Sequence, residues 1–334
     1  MKKVLAGIIT VALILGAIFA YRYYYDRKVP NFKGSTELYV YPGMDIQEVR
    51  DSVLASGTVL KPRSLSRALE TVQGITPGHY VLDSTCTSMY AARMLSKGWQ
   101  TPVNLTLSGS IRTYRALARK IGSQMLVDSA SVASFCCDSL GSYGVDTLML
   151  FTKVIPDTYQ MLWTASVRDV FDRLVRESDA WWTPERISAA RKQGLTKNEA
   201  ITLASIVNGE TRYVPEMPTI AGVYLNRLHT GMKLQADPTI AYCYGYTLNR
   251  ILKVHLSVDS PYNTYKYYGL PPGPISCPPK ACLEAVLNPK SHNYLFFCAD
   301  PSFNGSHRFA ATYAEHMINA RAFQRALTER QRGK

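Results

Sequence analysis

No run of lysine and arginine, no internal repeat and no low-complexity segment interrupts this sequence. Its 38 basic residues outnumber the 25 acidic ones to give a formal net charge of +13, but they are scattered along the chain. No zinc-finger, RRM or KH pattern gathers them into a surface that reads nucleic acid, so no nucleic-acid partner is expected and the excess is a general surface property. The six histidines form no HxH or HExxH pair and no G-x-S-x-G elbow is present, which removes metalloprotease and serine-esterase chemistry. Seven cysteines include no CxxC and are odd in number, so neither a zinc site nor a full disulfide framework is indicated. Most read as small buried apolar residues; one bridge, for instance between two of the C-terminal cysteines, is permitted in an oxidising compartment, but spacing does not establish it. No metal and no cofactor is expected.

A long apolar run occurs once. Val4 to Ala20 is uncharged, Lys2 and Lys3 precede it, and Tyr21, Tyr23, Tyr24 and Tyr25 follow it among Arg22, Arg27 and Lys28. The length suits either a short spanning helix or a cleaved signal. Tyrosines are what a membrane interface selects, and Ile18 sits badly where a cleavage site wants a small residue, so a retained anchor over residues 1–28 is favoured. With a short tail inside, everything after Lys28 would be extracytoplasmic.

The remaining chain is rich enough in apolar residues, 46% of the whole, to bury one large or two ordinary domains. From Leu38 the pattern predicts a strand (LYVY), a Pro42-Gly43 turn and a helix opened by Asp45 with Glu48 at capping-box spacing and closed at Gly57. A helix over Pro62 to Thr71, a strand (HYVL) and a helix over Ser88 to Lys97 complete a small α/β module over residues 35–105, either a spacer or a glycan-binding unit. Trp99, Pro102 and Gly109 mark a boundary, and mostly helical sequence occupies residues 106–330, including a helix start at Thr183-Pro184. The fold class is α+β.

Residues 195 to 275 crowd polar, glycine and aromatic groups around short helical runs. Thr196 and Glu199 make a capping box, so a helix should begin at Lys197 and run through ITLASIVNGE. Ala200, Leu203, Ala204 and Val207 then form one apolar stripe, with Glu210 on its edge. A carboxyl packed there loses hydration, and its pKa should rise toward the range of a general acid near neutrality. The plain alternative is a helix-end glutamate with its head in solvent. Glu216 and Asp237 are the candidates for the second carboxylate of a conventional glycosidase, with no spacing that sets either opposite Glu210; Asp237 before Pro238 also suits a turn aspartate bonded to its own backbone.

The runs TLASIVNGET, AGVYLNRLHTGMKLQADPTIAY, PYNTYKYYGLPPGPI, NYLFFCAD and GSHRF, in that order over about residues 105 to 325, resemble the signature blocks of the endolytic murein transglycosylases, the MltG or YceG-like family. An anchor followed by a LysM-like module agrees with that family's layout. The resemblance implies that Glu210 is the catalytic acid. It implies that the Gln235-Ala236-Asp237-Pro238-Thr239 and Tyr262-Asn263-Thr264-Tyr265 runs line a glycan cleft, with Asn226 and Arg227 in support. The implied partners are peptidoglycan glycan strands, the bacterial inner membrane through the single-pass helix, and membrane-bound cell-wall synthases, with the catalytic part periplasmic. One departure is Asn208, where the family commonly shows a Glu in a Glu-Lys-Glu-Thr string. Positions 208 and 210 point about 160° apart on a helical wheel, and only 210 joins the stripe's edge. Gly209 weakens the last helical turn, so the helix is expected to end or bend there.

A lytic transglycosylase needs one carboxyl, because the C6 hydroxyl of N-acetylmuramic acid is the nucleophile. Glu210 would protonate the glycosidic oxygen and then take the C6 proton, leaving a 1,6-anhydro end. Gln235, Asn263 and Thr264 would orient the ring, and Tyr262 or Tyr265 would stack on a sugar face. The alternatives are a glycan-binding scaffold that does not cut, supported by Asn208, and a water-using muramidase with Asp237 or Glu216 as base.

Overall fold

The structure, a computed structural model, describes residues 2–332. The apolar run near the N-terminus forms helix α1 (Lys2–Lys28), which buries none of its residues. Among the described residues it is the one helix long and apolar enough to cross a membrane, and it fits a single-pass anchor. The chain forms two compact units, one of residues 2–105 with 124–127 and 160–166, the other of residues 106–123, 128–159 and 167–332. The whole is α+β and mostly helical.

In the first unit, β1 (Thr36–Val40) leads through a Pro-Gly turn to α2 (Ile46–Ala55) and α3 (Pro62–Leu69), then to β2 (Gly78–Leu82) and α4 (Ser88–Lys97). Asp45 and Glu48 exchange side-chain bonds with each other's backbone N–H groups, which fixes the start of α2. The strands pair antiparallel with Leu38 opposite Tyr80. Alternate residues Thr36, Leu38 and Val40 turn inward, and the two apolar ones pack with Val49, Val53, Leu65, Leu69 and Leu95. Helix α3 stops at Leu69, short of the Thr71 that the sequence pattern suggests, because Glu70, Thr71 and Val72 close it with tight turns.

Strands β3 (Val103–Thr106) and β4 (Thr158–Met161) pair with each other. The second unit contains α5 (Tyr114–Gly122), α6 (Ser129–Asp138), α7 (Val167–Trp181), α8 (Pro184–Lys192) and α9 (Lys197–Glu210). It continues with α10 (Met217–His229), α11 (Asp237–Cys243), α12 (Lys280–Leu287), an antiparallel β5 (Phe296–Ala299) and β6 (His307–Ala310) pair, and α13 (Tyr313–Arg332).

Helix α9 has the expected bounds and carries the Thr196–Glu199 capping box. Its burial differs from a single stripe, since every residue from Ala200 to Val207 is buried. The helix is central, with α10, α11 and α12 packed around it, so its polar residues must be satisfied locally. Thr202 donates to the Asn198 carbonyl, and Ser205 donates to the Thr202 carbonyl while accepting the Ile275 N–H. The helix also does not stop at Gly209. A Cβ there would lie 2.5 Å from Cβ of Pro238, so the glycine is what lets α11 approach the last turn of α9.

Candidate active site

The end of α9 opens onto a cleft of about 920 Å³. Asn208, Gly209 and Glu210 line it together with Asp237 and Pro238 of α11, the segment around Ile275 and Ser276, and Asp157, Arg112, Arg212 and Tyr246. Positions 208 and 210 therefore border the same cleft despite their separation on the helical wheel, because the helix terminus itself forms part of the wall. Asn208 donates its side-chain amide to Ser276 Oγ at 3.1 Å.

Glu210 keeps partial exposure on the cleft side. Desolvation by the surrounding protein is nonetheless the largest influence on its carboxyl and lifts the pKa to about 7. The Tyr224 hydroxyl opposes that rise by donating to Glu210 Oε1 at 2.5 Å; the charge of Asp237 adds to it, and that of Arg227 opposes it. Tyr224 sits on α10 with Ile220, Ala221 and Leu225 in the core, only 1% exposed, and burial drives its own pKa well above the usual tyrosine value. It is thus a fixed neutral donor. The result is a carboxyl that gives up its proton only near neutral pH, oriented by one hydrogen bond and open to a cleft. Such a group can donate a proton and take one back.

The two runs expected beside Glu210 are brought together, but not in the expected way. The Gln235 N–H donates to the Thr264 carbonyl and the Ala236 N–H to Thr264 Oγ1. Thr239 donates its hydroxyl to the Ala236 carbonyl at 2.7 Å and lies 2.9 Å from Thr264 Oγ1, which therefore supplies the proton between them. Thr239 and Thr264 are buried and fully used as braces. Asn263 is also buried, with its amide spanning the Leu256 and Val258 carbonyls at 2.9 and 2.7 Å. These three side chains are expected from sequence to contact substrate; here each is buried and bonded within the protein, and none lines the cleft. Gln235 is exposed in a left-handed backbone conformation, φ 47°, two residues before the α11 start, and it does not line the cleft.

Tyr262 is 5% exposed and packs against Tyr242, so it cannot offer its face to a sugar ring. Tyr265 donates its hydroxyl to Asp237 Oδ1 at 2.5 Å and so holds the one carboxylate of these two runs that reaches the cleft. Asp237 is the first residue of α11 rather than an aspartate bonded to its own turn. Asn226 donates to the carbonyls of His292 and Tyr294, and Arg227 to those of Leu234 and Leu295, so both pin the chain ahead of β5 beneath α10. Glu216 receives the His307 backbone N–H at 3.0 Å and its ring Nδ1 at 2.9 Å, and it does not border the cleft. All seven cysteines are free.

The sequence pointed to Glu210 and Asp237 but not to Tyr224, Tyr246, Arg112 or Arg212. A signal for Tyr224 was present: it falls one helical turn after Ile220 and Ala221 on an apolar face, and a tyrosine so placed needs a partner for its hydroxyl.

A carboxyl of raised pKa thus stands at the end of a buried central helix, on the wall of a cleft. A sequence model of the YceG-like family matches residues 38–322, and the chain belongs to that family. It is 35% identical over 151 residues to the endolytic murein transglycosylase of Bacillus subtilis, covering 45% of this chain and 41% of that one. Over 354 aligned positions it is 26% identical to the endolytic murein transglycosylase of Streptococcus pneumoniae strain D39, covering 95% of this chain and 64% of that one. The chain thus spans 41 to 64% of the length of these curated relatives. A crystal structure of a YceG-like protein from Listeria monocytogenes superposes with a TM-score of 0.56 at 25% identity, covering 86% of this chain and 99% of that one.

Proposed function

We propose that this protein is a membrane-anchored lytic transglycosylase that cuts murein glycan strands internally at the bond between N-acetylmuramic acid and N-acetylglucosamine. The observation that carries this reading is the Glu210 carboxyl, protonated up to about pH 7, gripped by Tyr224 and facing a cleft of about 920 Å³. Glu210 protonates the glycosidic oxygen as positive charge builds at the anomeric carbon. The resulting carboxylate takes the C6 hydroxyl proton while that oxygen closes on the anomeric carbon. The product is a 1,6-anhydro end, and no water is consumed. A pKa near neutrality serves both half-steps, since the group must give a proton and then recover one. The curated names of the Bacillus and Streptococcus relatives support the same activity.

The rest of the chain fits this role as α1 in the inner membrane, residues 35–105 as a LysM-like module and residues 106–330 as the cutting domain in the periplasm, working near membrane-bound synthases. A water-using muramidase is the second reading. It is favoured by Asp237 alone, which lines the same cleft and acts electrostatically on Glu210. Digestion of peptidoglycan in heavy-oxygen water by the full chain in detergent separates the two by mass spectrometry. The transglycosylase gives anhydro ends free of the label, and the muramidase gives reducing ends that carry it.

A further inference from the structure

Two arginines that the acid–base chemistry does not use, Arg112 and Arg212, line the cleft. Both are exposed, and neither takes part in a salt bridge among the described residues. The acidic groups of the same walls are differently placed. Asp157 is paired with Lys280, Glu210 holds its proton to about neutral pH, and Asp237 has one oxygen taken by Tyr265. With Asp157 paired to Lys280 and Glu210 protonated, the two arginines outnumber the one remaining carboxylate of the walls, Asp237, and leave the cleft a small cationic excess.

Arg112 is also held in place. Its guanidinium carbon lies 4.7 Å from the centroid of the Tyr246 ring, a cation–π distance. The Tyr246 hydroxyl donates to the Ile275 carbonyl, and the Ile275 N–H is bound by Ser205 of the central helix. On the arginine's side, the Ile111 carbonyl accepts the Cys277 N–H, which ties both segments together. Tyr246 adopts a left-handed backbone, φ 60°, a conformation unfavourable for a residue with a side chain and often retained where a site needs it. A guanidinium stacked on a ring face still presents its in-plane N–H fork, the arrangement that a carboxylate fits. The groups that act on the Glu210 carboxyl are Tyr224, Asp237 and Arg227, and neither cleft arginine is among them.

Resting on the reading that the cleft takes murein strands, we propose that Arg112 on its Tyr246 seat, with Arg212 as a second cation, binds a carboxylate carried on the lactyl ether of N-acetylmuramic acid and selects anionic strands over neutral ones. That carboxylate has two sources: the lactyl group itself where the peptide has been removed, or an acidic residue of the peptide stem where it is present.

The test is steady-state cleavage by the full chain in detergent, as wild type, Arg112→Gln and Arg112→Lys. The substrates are peptide-bearing strands, amidase-stripped strands, and both again after carbodiimide and ammonia have turned their carboxylates into neutral amides. Wild type should show a KM roughly five- to tenfold higher on amidated strands, with a smaller change in kcat. Arg112→Gln should show the raised KM on every substrate and no longer distinguish amidated from untreated strands, while Arg112→Lys recovers part of the discrimination. A preference present on stripped strands assigns the lactyl carboxylate, and one confined to peptide-bearing strands assigns the stem. If Arg112→Gln discriminates as well as wild type, or wild type does not discriminate, the inference is overturned while strand cleavage stands. No cleavage by wild type would remove the underlying reading and the inference with it.

Discussion

A carboxyl withdrawn from water costs the fold more as pH rises, and Glu210 is such a group. Its ordinary pKa is 4.5 and its folded value about 7. Between those values the unfolded chain releases the proton while the folded chain keeps it, so stability falls through that window and the penalty is complete above it. Glu210→Gln removes the penalty and still accepts the Tyr224 hydroxyl bond. It should stabilise the protein by on the order of 2–3 kcal/mol at pH 8 and by almost nothing at pH 4, measured as urea midpoints at the two values. Tyr224→Phe tests the partner. The hydroxyl lowers the Glu210 pKa, so its removal should move the upper limb of the activity–pH profile to higher pH, with kcat reduced roughly tenfold as the carboxyl loses its orientation. An unmoved limb would show that Tyr224 does not set the titration that activity reports.

Two features of single elements decide where that carboxyl sits. The capping pair Thr196 and Glu199 fixes the start of α9, and this end of the helix was legible because its bonds span three residues. Its far end was not, because what happens at Gly209 depends on Pro238 of α11, and sequence spacing carries no record of that approach. Gly209→Ala gains about 1 kcal/mol of helix propensity but places a methyl 2.5 Å from Pro238 Cβ. A net loss of about 1–2 kcal/mol is expected in urea unfolding, with activity lowered as Asp237 shifts, whereas a net gain would mean that α9 and α11 separate freely. The loop ahead of Tyr265 follows the same logic. Asn263 looked from sequence like a substrate contact, yet its amide holds two loop carbonyls. Asn263→Ala should destabilise the fold by about 1–3 kcal/mol, seen as a lowered unfolding midpoint, instead of leaving it intact.

At the scale of the molecule, the family blocks and the apolar N-terminal run were readable because each lies within a short stretch of chain. The wall of the cleft was not, since Arg112, Asp157, Glu210, Asp237, Tyr246 and Ser276 come from segments far apart in sequence. The proposed strand-cutting enzyme at a membrane rests on two things: a cleft bordered by a raised-pKa carboxyl at the end of a buried helix, and, among the described residues, one helix long and apolar enough to cross a membrane. The measurement that tests this most directly is the rate at which the full chain and its Glu210→Gln form release 1,6-anhydro ends from purified peptidoglycan. Wild type should produce them, and the substitution should reduce the rate by about a thousandfold or more while the protein stays folded. Anhydro ends appearing at the wild-type rate with Glu210→Gln would contradict the account.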